Sequence, residues 1–354
     1  MSNVTENICA AVTEELLEEV LKTDYGFING KIRKLDGYDD KNYHITDVQK
    51  CIEGIEFPVN GIVIKFINTL DAQNLLLLEA QTKLTQYLEN SGIYCPTPVF
   101  NKFGQSYRSL VIDNKTHAVR VYKYIQGDTM KTIRVTSEVS SDFGSYVGQL
   151  TLILKKFNHE GFHRDCHMWS LENSPEVLQF VEVFEQETQR QIIMTVLNKF
   201  QSDILLNAVH LEKSVIHGDL SLNNIIVNNN KILGIIDMGD VVYSYTIFEF
   251  AVALCYLILH EFEDNNGKLS NVQFKSFVDA YEKQYRSLND LELSIIHTCV
   301  CARICQSLVL GKKSSLRDLS NLYILSTQKI GWMALKELLN VPGDKFIKLL
   351  QHQC

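Results

Sequence analysis

The sequence predicts an α+β protein of two unequal lobes, and three observations predict it. Short β-like runs fill the stretch from Lys31 to about residue 125, with one strong helical pattern among them. Nearly everything after Gln126-Gly127-Asp128 carries helical periodicity. A single island in that second part, residues 215–240, reads as two strands joined by a turn. At 354 residues the chain is too long for one small core, so we expect a β-rich lobe over 1–125, a hinge near 124–128, and a helical lobe over 126–354.

The elements follow in order. Val12, Leu16 and Val20 recur four apart and predict an opening helix. KIRKL, NYHITDV, FPVN and GIVIKFI then read as strands, punctuated by Gly37, Tyr38-Asp39-Asp40 and Glu53-Gly54. Leu70, Leu77, Leu84 and Leu88 place a helix at about 71–89, stopped by Asn90-Ser91-Gly92. TPVF, YRSLVI and HAVRVYKYI supply further strands. In the second lobe, Phe143, Val147, Leu150, Leu154 and Phe157 form a helical stripe, and helical segments cross 176–211. After the island, helices are expected over 246–262, 272–287, 290–310 and 327–340.

Composition narrows the function classes. With 34 basic and 42 acidic side chains the net charge is −8, and the pI is near 5.7. That lacks the positive field a phosphate backbone requires, so no nucleic-acid partner is expected. The strongest apolar run, Phe250–Leu259, is too short to span a membrane, and the acidic N-terminal segment is unlike a targeting peptide. Nine scattered cysteines without a CxxC fit reduced thiols and a cytoplasmic location. Oligomeric state is left open.

The informative segment is VIHGDLSLNNIIVNNNKILGIIDMGD. Asn224 follows Asp219 by five residues, and Asp237 follows it by eighteen, at the end of a strand. Phosphoryl transfer to a hydroxyl needs such a set. One carboxylate, Asp219, accepts or orients the proton of the attacking hydroxyl; an amide oxygen, Asn224, and a second carboxylate, Asp237, hold Mg²⁺ on the phosphates. Lys65 lies within the apolar strand GIVIKF, where a half-buried ammonium is costly without a purpose. Glu79, fourteen residues on, falls in the following helix, so the two form a candidate phosphate-positioning pair. The loop Gly37-Tyr38-Asp39-Asp40-Lys41-Asn42, with Tyr38 and Asp39 as candidate contacts, sits where a nucleotide-covering turn belongs. Neither a Walker A nor a Rossmann fingerprint is present.

The HGDL…N…IDMGD block resembles the aminoglycoside phosphotransferase and choline kinase group, which has a bilobal protein-kinase-like fold. GYDDKNYHI, GIVIKF with EAQTKLTQYL, HMWSL, and RICQSLVLG with YIL…GW look like its hydroxylysine kinase branch. The resemblance covers most of residues 24–340 and implies Asp219 as the catalytic aspartate, Asn224 and Asp237 as metal ligands, and Lys65 with Glu79 on the phosphates. It also implies Tyr124-Ile125 at the purine, Mg²⁺, GTP or ATP as donor, and the side-chain hydroxyl of 5-hydroxylysine as acceptor.

Asp237 is followed almost at once by a helix near Ile247, leaving no room for a protein kinase's activation segment, so a small-molecule acceptor is expected. Hydroxylysine would ask for carboxylates facing its ammonium groups and a cation facing its carboxylate. Asp240 and Glu249 are candidates for the first task, Arg303 and Gln306 for the second, and Trp332 for a wall along the aliphatic stem. Choline, homoserine or an aminoglycoside stay open as acceptors, and a non-catalytic scaffold on the same fold is the alternative of another class. The triplet His163-Arg164-Asp165 spells HRD, but Ser170 stands where an Asn would be needed, so we read it as coincidental. His159, His163 and His167 recur four apart, but Gly161 interrupts them, so loop histidines are expected rather than a metal face.

Overall fold

Period-two alternation decides the first unit. The computed structural model describes residues 8–50, 57–269, 272–317, 322–325 and 327–351, and the chain divides into two units, Met1–Gln126 and Gly127–Cys354. In the first, five antiparallel strands form one sheet: β1 (Lys31–Leu35), β2 (Lys41–Thr46), β3 (Ile62–Ile67), β4 (Arg108–Ile112) and β5 (Lys115–Lys123), in the order β1-β2-β3-β5-β4. Ile62, Ile64 and Phe66 point to one face with Val119 and Val121. That face is covered by α1 (Glu14–Val20) and the wider, π-helical turn Leu21–Tyr25 through Leu17, Val20 and Tyr25. Complete burial of a side chain such as Phe66 contributes roughly 2 kcal/mol. Lys65 is on the opposite face, in register with Asn42 on β2 and Arg120 on β5. Here α2 (Leu75–Asn90) packs, and Arg120, fully buried, donates to Gln81 and Thr82 of that helix.

Three strand and helix expectations fail in this unit. FPVN is a turn, with Gly61 donating to the Pro58 carbonyl. TPVF contributes only an isolated bridge from Pro98 to Tyr122, as proline cannot complete a ladder. Leu70 belongs to a separate short helix, Thr69–Ala72, and is exposed, whereas Leu77, Leu84 and Leu88 are buried. Glu53-Gly54 lies outside the described residues.

The second unit is mainly helical: α3 (Ser137–Leu154), α4 (Glu187–Asp203), α5 (Thr246–Asp264), α6 (Val272–Gln284), α7 (Asp290–Ser315), α8 (Gln328–Leu339) and α9 (Gly343–Leu350). Residues Leu171–Val183 form 3₁₀ turns. α3 and α6 approach closely at Gly144, where a Cβ would come 2.0 Å from the Phe277 carbonyl. α7 is long and apolar enough to cross a membrane by length and composition, yet most of it is buried inside this unit, with Arg303 and Gln306 near its middle.

Two small sheets interrupt the helices. β6 (Asp128–Thr129), β8 (Ile225–Asn228) and β9 (Lys231–Ile235) form one; β7 (Lys213–Ile216) and β10 (Val242–Tyr245) form the other. The β8–β9 turn places Asn229 and Asn230 at φ 49° and 59°, the left-handed geometry of a tight hairpin. The β7–β10 pair went unforeseen because VVYSY runs straight into α5.

Candidate active site

In the second unit the segment expected to carry the chemistry hangs from the ends of these strands. β7 runs into His217-Gly218-Asp219, and β8 follows Asn224. Gly218 has φ +79°, and a Cβ there would lie 2.6 Å from the Asp240 carbonyl, so this position requires glycine. His217 spans the turn: its Nε2 is 3.1 Å from the Ile236 carbonyl, and its Nδ1 accepts from the Asp219 amide at 3.4 Å.

Asp219 is held through both carboxylate oxygens. Oδ1 accepts from Arg303 Nη2 at 2.9 Å, and Oδ2 accepts from Asn224 Nδ2 at 2.7 Å. Burial pushes its carboxyl above the usual range; the Arg303 guanidinium pulls the other way, and the charge of Asp240 adds to the rise. Because the Asn224 amide nitrogen is committed to Asp219, its oxygen diverges from that carboxylate. Ile236 donates to the Asn224 carbonyl at 2.9 Å, which brings Asp237 next to Asn224 across the hairpin. Asp237 sits at φ 65°, uncommon for an aspartate, and its Oδ1 caps Gly239 at 3.2 Å. The Asn224 and Asp237 oxygens are hard donors of the kind a magnesium ion takes.

The acceptor-side candidates separate. Asp240 lies 3.0 Å from His167 Nε2. Burial alone would raise its pKa, but His167, Arg303 and Arg164 outweigh it and hold the carboxyl down to about 2. Glu249, fully buried at the start of α5, accepts from the His217 amide at 2.7 Å and the Gly218 amide at 3.0 Å, so it braces the His217-Gly218-Asp219 turn. Arg303 is wholly buried between the rings of Trp169 and Tyr256. Gln306 donates to the carbonyls of Met168 at 2.7 Å and Ser170 at 2.8 Å. Trp332 stands edge-on to Phe184 at a centroid distance of 5.4 Å.

The segment containing HRD enters the site by a route the sequence did not reveal. Arg164 donates to the carbonyls of Gly239 at 2.6 Å and Val241 at 3.4 Å. His163 stacks on Tyr243. His159 caps the Glu160–Phe162 turn through Gly161. Tyr256, whose hydroxyl accepts from Arg303 at 3.2 Å, had one available signal: it lies seven residues after Glu249 and shares its helix face.

In the first unit, Lys65 Nζ lies 3.0 Å from Asp40 Oδ2. Asp40 Oδ1 accepts from the Asn68 backbone at 2.8 Å and its side chain at 3.0 Å. Asp40 belongs to the expected loop, but its pairing with Lys65 is not legible from the sequence; Tyr38 and Asp39 beside it are partly buried. Glu79 is exposed and pairs with Lys83 at 2.6 Å. Tyr124 stacks on His44, centroids 3.7 Å apart, and its amide donates to the Gly61 carbonyl at 3.1 Å. Ile125 is buried.

The model of the family described as "Phosphotransferase enzyme family" matches residues 34–291. Hydroxylysine kinase of Bos taurus is 27% identical over 365 residues, 96% of this chain and 93% of its own. The chain also resembles a microcompartment-associated aminopropanol kinase, with TM-score 0.69 and 14% identity over 95% of this chain and 100% of that one. A third likeness is to amicoumacin kinase hAmiN in complex with AMP-PNP, Ca²⁺ and Ami: TM-score 0.68, 16% identity, 92% of this chain and 94% of that one. At these identities the two structures speak to the fold, which is the bilobal protein-kinase-like α+β fold.

Proposed function

Because the chain belongs to the phosphotransferase enzyme family, we propose that it transfers the γ-phosphoryl group of GTP or ATP to the side-chain hydroxyl of 5-hydroxylysine. It is a phosphotransferase that acts on a hydroxyl group. The likeness to hydroxylysine kinase along 96% of the chain supports the acceptor. GTP is the donor which that resemblance implies, and the amicoumacin kinase complex with AMP-PNP and Ca²⁺ supports a nucleotide with a divalent cation.

The observation that carries the chemistry is the Asn224 amide, which donates to Asp219 while its residue is tied to the strand leading to Asp237. In this reading Asp219 orients the acceptor hydroxyl and takes its proton. The acceptor oxygen bonds to the γ-phosphorus as the γ-phosphorus–β-bridge oxygen bond breaks, and the nucleoside diphosphate leaves. Asn224 and Asp237 would hold Mg²⁺, which supplies charge neutralisation on the phosphates. Lys65, steadied by Asp40, supplies a cation for the nucleotide in the first unit, with Tyr38, Asp39, Tyr124 and Ile125 as further nucleotide contacts. Asp240, ionised well below neutral pH and 26% exposed, offers an ammonium its counter-charge. Buried thiols such as Cys255, Cys299, Cys301 and Cys305 suit the cytoplasmic location proposed for the enzyme.

A coupled assay tests the reading by crossing GTP and ATP with 5-hydroxylysine, choline, homoserine and an aminoglycoside. The highest kcat/KM is expected with 5-hydroxylysine. Preferred turnover of any other acceptor removes the hydroxylysine assignment.

A further inference from the structure

We infer that Arg303 is a positioning residue for the phosphoryl transfer, fixing the carboxylate of Asp219 rather than binding a substrate carboxylate. The inference rests on the reading of Asp219 given above. Arg303 is 0% exposed. Its Nη2 donates to Asp219 Oδ1 at 2.9 Å and to the Tyr256 hydroxyl at 3.2 Å. Its Nη1 donates to the Trp169 carbonyl at 2.8 Å and to Gln306 Oε1 at 3.0 Å. Both terminal nitrogens are therefore committed within the protein; only Nε lacks a hydrogen-bond partner, and one N–H cannot give an incoming carboxylate a bidentate grip.

A buried ion pair is a poor source of stability, because desolvation cancels most of its attraction. What this one supplies is geometry. With Oδ1 on Arg303 and Oδ2 on Asn224, the two side-chain torsions of Asp219 are fixed before any substrate arrives. Gln306, one helical turn on, holds the carbonyls of Met168 and Ser170. α7 thus sets both the carboxylate and the Trp169 segment beside it. Lysine cannot reproduce this, since a single ammonium does not reach four acceptors arranged around a planar fork. A displacement of about 1 Å in a reacting group costs on the order of 100-fold in rate.

The test is steady-state kinetics with GTP and 5-hydroxylysine on Arg303→Lys, Arg303→Ala and Asp219→Asn, each checked for folding by its melting curve. Arg303→Lys should lower kcat by about 100-fold with KM for both substrates within about threefold of the parent. Millimolar guanidinium should restore activity to Arg303→Ala saturably, at concentrations where sodium chloride does nothing, a rescue that a merely structural role would not show. An Arg303→Lys enzyme within threefold of the parent kcat overturns the inference. So does a defect confined to the KM for 5-hydroxylysine, which would return Arg303 to the ligand. If Asp219→Asn itself keeps its rate, the reading of Asp219 fails; if only the Arg303 variants keep theirs, the positioning role fails alone.

Discussion

Arg164 donates from Nη1 to the carbonyl of Gly239 at 2.6 Å, tying a loop 75 residues upstream to the turn between Asp237 and Asp240. The bond fixes the backbone on which Asp237 is mounted. Arg164→Ala leaves that carbonyl without its charged donor, at a cost of about 1–3 kcal/mol. We expect a lower melting temperature and a higher Mg²⁺ concentration for half-maximal rate. An unchanged Mg²⁺ titration would separate Arg164 from the metal side of the site.

Glu249 makes a comparable demand on the turn His217-Gly218-Asp219. Its two oxygens receive the amides of His217 and Gly218. Glu249→Gln turns an NH₂ toward one of them, losing a hydrogen bond and setting donor against donor. The expected cost is about 2 kcal/mol of stability, with kcat reduced about tenfold or more. Calorimetry and kinetics on the same preparation check both.

Stability should also depend on pH through the foot of α7. Asn289 and Glu292 form a capping box there, and Arg286 donates to both Glu292 oxygens at 2.8 and 2.7 Å. Burial raises the Glu292 carboxyl, but the Arg286 bonds and the Asn289 amide outweigh it, so its pKa in the folded chain is below the ordinary 4.5. A depressed folded pKa means a contribution fully present above pH 4.5 and lost as pH falls through the lower, folded value. Glu292→Gln should therefore melt below the parent at pH 7, by about 1–2 kcal/mol of stability, with the gap closing under acid. A gap that stays constant down to pH 3 contradicts this.

On the nucleotide side, Lys65→Ala should raise the nucleotide KM and lower kcat/KM by about 100-fold or more. Asp40→Asn, which keeps the side-chain shape but removes the charge facing Lys65, should give a milder loss in the same parameter. Chelation of divalent cations should stop turnover in the parent, with recovery on adding Mg²⁺. Persistence of the rate in excess chelator would remove the metal role of Asn224 and Asp237.

The sequence made some of this legible and hid the rest for identifiable reasons. The alternation of Ile62, Ile64 and Phe66 sets the faces of β3 locally, and the Asn229-Asn230 turn announces the hairpin by its own backbone preference. Asp219, Asn224 and Asp237 are close in sequence, so their spacing alone pointed to a shared task. Arg303, Glu249 and Arg164 reach the same turn from distant parts of the chain, and local pattern says nothing about tertiary partners. Arg303 and Gln306 looked like ligand groups because a cation and an amide on an apolar helix need polar partners; those partners are the carboxylate of Asp219 and the carbonyls of Met168, Trp169 and Ser170. HRD lacks the Asn that a catalytic loop needs, Ser170 standing in its place, yet its arginine holds the turn beside Asp237.

In the proposed reaction Asp219 serves the acceptor hydroxyl while the nucleotide is held by other residues. This assignment is tested most directly by comparing Asp219→Asn with the parent in turnover of 5-hydroxylysine and in calorimetric binding of Mg²⁺ with a non-hydrolysable GTP analogue. Loss of at least about 1,000-fold in kcat is expected, with nucleotide affinity within a few-fold of the parent. A variant that retains most of its turnover would contradict it.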